Sequence, residues 1–396
     1  MIVLHILSLL FGTVVMLAVL GSALKTVVLP QEGFARLSQA VFALVYRLLV
    51  HRWSSDARSR ALQRLYAPVS LVTLPLVWMI LMAIAFTFIF WGTGSVGLEK
   101  AFEFSGSSLT TLGFAEPDTT ARIWIAFIEA VIGLGLVALL ISYLPTIFSA
   151  YNARERGIIN LRPVAGSPAV ATDLLLNLQR IGLLDSLDFW RNQADWMLDI
   201  EQTHTAFPTL TFFPETNDDH AWVATLGALL DAAALVASAS ETQAGEAFAD
   251  LEKGPLMALV YGVPGVTRVA RAANVPLPVP TRVQELADHY GEPAPAISIR
   301  REEYEAAMAS LTPIVVVPAG QEEEAWRRFA WIRSAYDPPL RALAGLTKAP
   351  PAPWTTDRPA KVGRPRFLRR RPLQVDWTAN MVGAATGPGA APATGG

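Results

Sequence analysis

The residues best suited to chemistry in this sequence form the stretch SSLTTLGFAEPD, residues 107–118, which lies between two long uncharged runs. An extended backbone here could present successive carbonyl oxygens in place of the water shell of a cation, provided that several copies surround one axis. Thr111 could add its hydroxyl oxygen, and Gly113 permits a backbone conformation that is costly for residues with a Cβ. We therefore expect the ion-binding residues to be Thr111, Leu112, Gly113, Phe114 and Ala115.

Acidic side chains flank this segment. Residues 99–122, which connect two of the uncharged runs, carry more acidic than basic side chains, and Glu116 and Asp118 follow the glycine closely. Because negative charge at the entrance of an ion pathway raises the local concentration of cations, Glu116 and Asp118 are predicted to form an acidic outer mouth.

Three apolar runs must position this segment: residues 1–24, 65–98 and 130–153, the last extended upstream past Glu129 to residue 123. Each is long enough to cross a membrane, and backbone groups in lipid must bond within their own segment, so each is predicted to be a helix. A cleaved secretory signal is the alternative for the first run, because GSALK resembles a cleavage site. However, a signal begins with basic residues, and Lys25 follows the apolar run. We therefore expect a retained helix.

The charges between the first two runs predict the orientation of the chain. Residues 25–64 carry seven basic side chains against Glu32 and Asp56, which favours a cytoplasmic loop and an N-terminus outside the cell. The C-terminus is then cytoplasmic, and the chain is a multi-pass plasma-membrane protein. Within this loop, residues 37–46 are uncharged and flanked by arginines, which is typical of an amphipathic helix at the membrane interface. Half of a helical hairpin that dips into the membrane is the alternative.

A short helix is predicted immediately before the threonine and glycine residues. Leu98, Ala101, Phe102 and Ser105 recur at helical spacing, and Glu99 lies in the first turn. If its C-terminal end points to the membrane centre, the partial negative charge of that end favours a cation there.

The third run contains three further candidate residues. Gly133 and Gly135 could form a hinge of the inner helix, or they could allow close helix packing. Ionisable side chains inside a span usually face protein or water, so Glu129 could support the ion-binding segment from behind, or it could reach the interface.

The order of outer helix, short helix, TLGFA and inner helix resembles the pore module of the potassium-channel superfamily over residues 69–152. By that resemblance, Thr111 to Phe114 match the Thr-Val-Gly-Tyr of the selectivity filter, and Glu116 takes the place of its trailing acid. The resemblance implies a homotetramer in a lipid bilayer, with potassium as the permeant ion. Phe114 stands where the filter has tyrosine, and Ala115 stands where it has its last glycine. Beyond the pore, the stretches SYLPTIFSAYNARERG, DIEQTHTAFPTL, LDAAALVASA and APPAPW resemble bacterial membrane proteins described as potassium-channel-domain proteins, a resemblance that extends to Trp354.

Residues 154–355 have mixed charge and predict a soluble helical domain. Ser167 and Pro168 are typical of a helix start, residues 219–238 predict a buried helix that contains Asp231, and residues 321–336 predict a later helix. Residues 356–396 are basic and then rich in alanine, glycine and proline, which predicts a disordered tail, with attraction to anionic lipid as the alternative.

Composition argues against several functions. The chain has no cysteine, its five histidines lack ligand spacing, and its net charge is −2, so we expect no metal site, no cofactor and no nucleic-acid partner. No catalytic constellation can be assembled, which argues against an enzyme. The predicted fold is all-α, with one extra transmembrane helix (1–24), a cytoplasmic loop (25–64), the pore domain (65–153), the soluble domain and the tail. The predicted function is a cation channel. The alternative is a non-conducting membrane-anchored scaffold or sensor whose cytoplasmic part binds an unknown partner.

Overall fold

The structure of the chain, a computed structural model, is all-helical apart from one pair of short strands in its described part. It describes residues 2–27, 36–49, 57–213, 221–239, 254–277, 296–312, 314–362 and 375–376. Among these residues, three helices are long and apolar enough to cross a membrane: Ile2–Val27, Pro68–Gly92 and Thr120–Ala165. This pattern is that of a multi-pass membrane protein.

The chain divides into two compact units between Ser149 and Ala150. The N-terminal unit contains α1 (Ile2–Val27), α2 (Arg36–Leu49), α3 (Ala57–Gly92), α4 (Leu98–Leu109) and the first part of α5 (Thr120–Ala165). The C-terminal unit contains the rest of α5 and the helices α6 (Ala171–Arg180), α7 (Leu187–Ala206), α8 (Trp222–Ser238), α9 (Leu256–Ala272), α10 (Arg301–Leu311) and α11 (Glu322–Thr347). A short 3-10 helix, Pro208–Phe212, follows α7, and the strands β1 (Lys361–Val362) and β2 (Val375–Asp376) pair antiparallel near the end.

The first apolar helix packs tightly against the second. The backbone of Gly12 in α1 approaches α3 so closely that a Cβ there would lie 2.4 Å from the Ala85 carbonyl oxygen. The Ser8 hydroxyl donates to the Phe88 carbonyl at 2.7 Å, which ties the same two helices together. The predicted first span is therefore an integral part of the N-terminal unit.

The predicted amphipathic helix in the loop is present as α2. Its buried face includes Val41 and Phe42, whereas Leu44 and Leu48 on its other side are exposed. The Ser38 hydroxyl of α2 lies 2.8 Å from the Thr26 hydroxyl of α1. This helix is therefore attached to α1 through its buried face.

The C-terminal unit is a helical bundle around α8, whose residues Trp222 to Leu235 are all buried. Asp231 lies inside this apolar helix and pairs with the buried Arg333 of α11, which also donates to Asp337 at 3.0 Å. The Tyr336 hydroxyl donates to the same Asp231 oxygen at 2.7 Å. Burial by itself lowers the pKa of Arg333, but the Asp231 and Asp337 carboxylates outweigh it and hold the pKa above its ordinary value. Asp231 is the charged residue that distinguishes α8 from a fourth membrane span, and the positive charge of Arg333 compensates it inside the bundle.

Several boundaries differ from the sequence-based predictions; α5, for example, continues past residue 153 to Ala165. Helix α6 begins at Ala171 rather than at Pro168, because residues 166–170 form the tight turn that follows α5, with Gly166 at a φ of 81°. Helix α11 continues past Tyr336, through Pro338 and Pro339, to Thr347.

The predicted tail also begins later than residue 356. The Ala360 amide donates to the Arg341 carbonyl at 3.0 Å, and the Arg358 side chain binds Glu303 at 3.0 Å. Val362 pairs with Val375 across the two strands. Residues 356–362 and 375–376 therefore belong to the C-terminal unit, and the rest of the predicted tail lies outside the described residues.

Candidate functional site

Helix α4 lies between α3 and α5 and packs against both. The Phe104 ring contacts the Phe90 ring of α3 at 5.7 Å between centroids. At the C-terminal end of α4, the Leu109 carbonyl oxygen is so close to α5 that a Cβ on Gly133 would lie 2.3 Å from it. For Gly133, close packing is therefore the role that the contacts support. A Cβ on Gly135 would meet nothing within 4 Å.

These contacts give the depth that α4 reaches along the two apolar helices. The Ser105 hydroxyl oxygen of α4 lies 3.0 Å from the Ala83 carbonyl oxygen, about nine residues before α3 ends at Gly92. Gly133, the neighbour of Leu109, lies about thirteen residues after α5 begins. At 1.5 Å per residue, these positions lie about 14 Å and about 20 Å from the nearby helix ends. If α3 and α5 cross a hydrocarbon layer about 30 Å thick, the end of α4 lies near its middle.

The backbone after α4 is non-helical and is bonded to the end of that helix. The amides of Leu112 and Gly113 both donate to the Ser107 carbonyl, at 3.0 Å and 3.3 Å, and the Thr111 amide donates to Ser108 at 3.0 Å. Thr111 and Gly113 have φ angles of 57° and 69°, so the chain alternates into the left-handed region, where glycine is favoured.

The amide contacts also determine where the carbonyl groups point. In a trans peptide unit, the C=O of one residue is directed opposite to the N–H of the next. Since the amides of Leu112 and Gly113 point to α4, the carbonyls of Thr111 and Leu112 point away from it. The side chains beside them are open to solvent in the single chain, with Leu112 70% and Phe114 66% exposed.

Ala115 behaves differently from the residues before it. Its amide donates to the Ser107 hydroxyl oxygen at 3.0 Å, which directs the Phe114 carbonyl away from α4. Its own carbonyl oxygen lies 3.4 Å from the same hydroxyl, on the α4 side. Ala115 does not adopt a positive φ, in keeping with the cost of that conformation for alanine. The five predicted ion-binding residues thus lie together, but the Ala115 oxygen faces the opposite way from those of Thr111, Leu112 and Phe114.

The two predicted mouth residues have different surroundings. Asp118 is ion-paired with Arg122, whose hydrogen bond holds the pKa of that carboxyl below its ordinary value. The Arg122 side chain is almost fully buried, and it also donates to the Thr93 hydroxyl at 2.7 Å. Arg122 thus joins the end of α3 to the start of α5 and compensates the charge of Asp118. Glu116 is exposed.

Glu129 lies behind α4. Its side chain is fully buried, and its Oε1 atom accepts a hydrogen bond from the Ser105 hydroxyl at 2.5 Å. Its Oε2 atom has no hydrogen-bond partner among the described residues. Of the two positions expected from the sequence, Glu129 therefore occupies the one that faces protein.

The C-terminal unit offers a cavity rather than a metal site. No group of three or more potential metal ligands occurs in the described part of the chain. A cavity of 260 Å³ lies between α10 and the start of α11, and its lining includes Tyr304, Met308 and Val315 together with the acidic residues Glu305 and Glu322. No residue pattern in the sequence predicts this cavity.

Two residues that the sequence-based reasoning missed organise the site: Ser107 and Arg122. Ser107 bonds to the non-helical segment through both its carbonyl and its hydroxyl, and Arg122 bonds to Thr93 just after α3 and to Asp118 just before α5. A hydroxyl in the last turn of the predicted short helix was the available signal for Ser107. For Arg122, the acidic Asp118 four residues earlier was a local signal, whereas Thr93 comes from a distant part of the chain.

No protein-family model, curated protein or solved structure matches this chain significantly. The class that the fold defines is therefore an all-helical protein with three apolar helices that suit a membrane.

Proposed function

We propose that this chain forms a tetrameric cation channel that conducts potassium, in which the segment from Thr111 to Ala115 lines the ion path. The observation that carries the proposal is that this segment follows a helix whose end lies well inside the apolar helices α3 and α5, and that its carbonyl groups point away from α4. Non-helical backbone at membrane depth is tolerated only where protein buries it or where it lines a water-filled cavity. In a single chain the segment is exposed, so other copies and water must supply its surroundings.

Coordination of a cation follows from the same geometry. The carbonyls of Thr111, Leu112 and Phe114 point away from α4, so copies arranged around one axis would direct rings of oxygens at that axis. The C-terminal end of α4 carries partial negative charge and adds to the attraction. Four copies are proposed because the sequence resembles a superfamily in which four filters surround the pore.

Location and orientation are also proposals. The excess of basic side chains in residues 25–64 favours a cytoplasmic position for that loop, with the N-terminus outside and the chain in the plasma membrane. Because Arg122 compensates Asp118, Glu116 is the stronger candidate for attracting cations at the outer mouth.

The experiment is cation flux into liposomes that contain the purified full-length protein, with potassium and sodium measured separately. Gly113→Asp is expected to abolish flux, because it would place a carboxylate in each copy beside the coordinating oxygens and would strain a left-handed residue. A Cβ at this position meets nothing within 4 Å in the single chain, so the subunit itself has room for the side chain.

Gly182→Asp is the matched control. Gly182 also has a positive φ, 71°, and open space for a Cβ, but it lies in the turn between α6 and α7. It should keep the flux of the unmodified protein. Flux no greater than that of empty vesicles, or a monomer after chemical cross-linking in membranes, would refute the channel.

The alternative function is a membrane-anchored sensor, and the cavity between α10 and α11 favours it. Its apolar lining with two glutamates suits a small ligand that combines an apolar body with a positive charge. Screening of such amines for stabilisation of the full-length protein would test this alternative. Binding that is lost in Met308→Trp, in a protein without flux, would support the sensor over the channel.

A further inference from the structure

Ser107 accepts hydrogen bonds from three residues of the non-helical segment: Leu112, Gly113 and Ala115. It lies in the last turn of α4 and is 1% exposed. Its carbonyl accepts the amides of Leu112 and Gly113, and its hydroxyl oxygen accepts the Ala115 amide at 3.0 Å. One residue therefore contacts the start and the end of the segment.

The carbonyl and the hydroxyl of Ser107 have separable effects. Any residue at position 107 would supply the main-chain carbonyl, so the orientation of Thr111 and Leu112 does not depend on the side chain. The hydroxyl, in contrast, is required for the contact with the Ala115 amide. Because that amide belongs to the same peptide unit as the Phe114 carbonyl, the hydroxyl determines that the Phe114 oxygen points away from α4.

The hydroxyl also accounts for the position of the Ala115 oxygen. At 3.4 Å the contact between the Ser107 hydroxyl and this oxygen is long for a hydrogen bond, so its strength is small. The contact nevertheless shows that the Ala115 carbonyl oxygen lies beside the buried Ser107 side chain. A serine suits both contacts because a hydroxyl accepts and donates at once.

We propose that Ser107 is a positioning residue that turns the Phe114 carbonyl toward the ion path and keeps the Ala115 carbonyl out of it. Phe114 then supplies the last ring of coordinating carbonyl oxygens. This inference rests on the proposed channel function. The number of coordinating carbonyl dipoles is one determinant of ion selectivity, so Ser107 is thereby a determinant of the discrimination between potassium and sodium.

The first test compares three variants in the liposome assay. Ser107→Ala should lower the ratio of potassium to sodium flux about fivefold, the factor that corresponds to one lost hydrogen bond. Ser107→Thr keeps the hydroxyl and should retain the ratio. Ser108→Ala is the matched control, because it removes the neighbouring hydroxyl of α4 and leaves the main-chain bond to Thr111 in place.

The second test observes Ala115 directly in the full-length protein. Alanine followed by glutamate occurs once in the sequence, at Ala115, so ¹³C-carbonyl alanine with ¹⁵N-glutamate marks a single carbonyl for NMR. In the unmodified protein, this signal should not shift during a potassium titration. In Ser107→Ala its position should change even without potassium, and in Ser107→Thr it should not.

The outcomes separate the inference from the channel function. An unmodified protein without flux would refute the channel and, with it, the role of Ser107. Flux with an unchanged ratio in assembled Ser107→Ala, or an Ala115 carbonyl that shifts with potassium, would overturn the role of Ser107 alone. If Ser107→Ala fails to assemble, the potassium titration of the unmodified protein still tests whether the Ala115 carbonyl lies outside the ion path.

Discussion

Acidification should destabilise the C-terminal unit through His204. This side chain is fully buried in α7, packs against the Trp222 ring at 5.0 Å between centroids, and has its Nδ1 atom 2.9 Å from the Ile200 carbonyl oxygen. Burial is the main cause that lowers its pKa from 6.5 to about 3, and the positive charge of Arg154 adds to it. The histidine is therefore neutral in the folded unit at neutral and mildly acidic pH.

The sign and size of the effect follow from the two pKa values. Between about pH 6.5 and about pH 3, the unfolded chain binds a proton at His204 and the folded chain does not, so stability falls as the pH falls. One pH unit in this window corresponds to about 1.4 kcal/mol. At about pH 5, roughly 1.5 units below the unfolded value, His204 should therefore cost about 2 kcal/mol relative to neutral pH.

Hydrogen exchange of the α7 and α8 amides in full-length protein in detergent micelles would measure this. Opening free energies, corrected for the intrinsic effect of pH on exchange, should fall by about 2 kcal/mol between about pH 7.5 and about pH 5. His204→Asn keeps a donor for the Ile200 carbonyl but cannot titrate, and it should lose this part of the pH dependence. An equal pH dependence in both proteins would refute the assignment to His204.

Two further predictions concern packing in each unit. Asp231→Leu should destabilise the C-terminal unit by about 3 to 5 kcal/mol, because it removes one of the two carboxylates that pair with the buried Arg333 and the acceptor of the Tyr336 hydroxyl, and adding Arg333→Met should recover much of the loss in denaturation experiments. No recovery in the double variant would contradict this reading of the pair. Gly12→Val should lower the thermal stability of the N-terminal unit, since its side chain would collide with the Ala85 carbonyl, whereas Gly21→Val on the same helix meets no atom within 4 Å and should not. Similar melting temperatures for the two glycine variants would contradict close packing of α1 on α3.

Much of the fold could be predicted because its signals are local. Three apolar runs predict three helices of sufficient length, and all three are present among the described residues. Glu99 in a first turn predicts the short helix found at Leu98–Leu109. Asp231 indicates that the 222–238 helix is buried in protein, and it lies against Arg333.

Local signals fail where distant residues outweigh them. Pro338 and Pro339 predict that a helix stops at Tyr336, yet α11 continues to Thr347. A proline inside a helix costs about 3 kcal/mol. Here Asp337 pairs with Arg333 one turn before it, and Pro339 and Leu340 are buried, so packing on both sides of the prolines holds the helix together.

The candidate site divides in the same way. The sequence alone determines that two apolar helices flank a short helix and the threonine and glycine segment after it. These features depend only on residues that are neighbours in the chain. Only the tertiary structure decides that Ser107 directs the carbonyl groups of Phe114 and Ala115 to opposite sides and that Arg122 bonds to Thr93 at the end of α3. The physical reason is that a hydrogen bond or an ion pair needs two groups within about 3 Å, and the folded backbone, not the order of residues, brings such groups together.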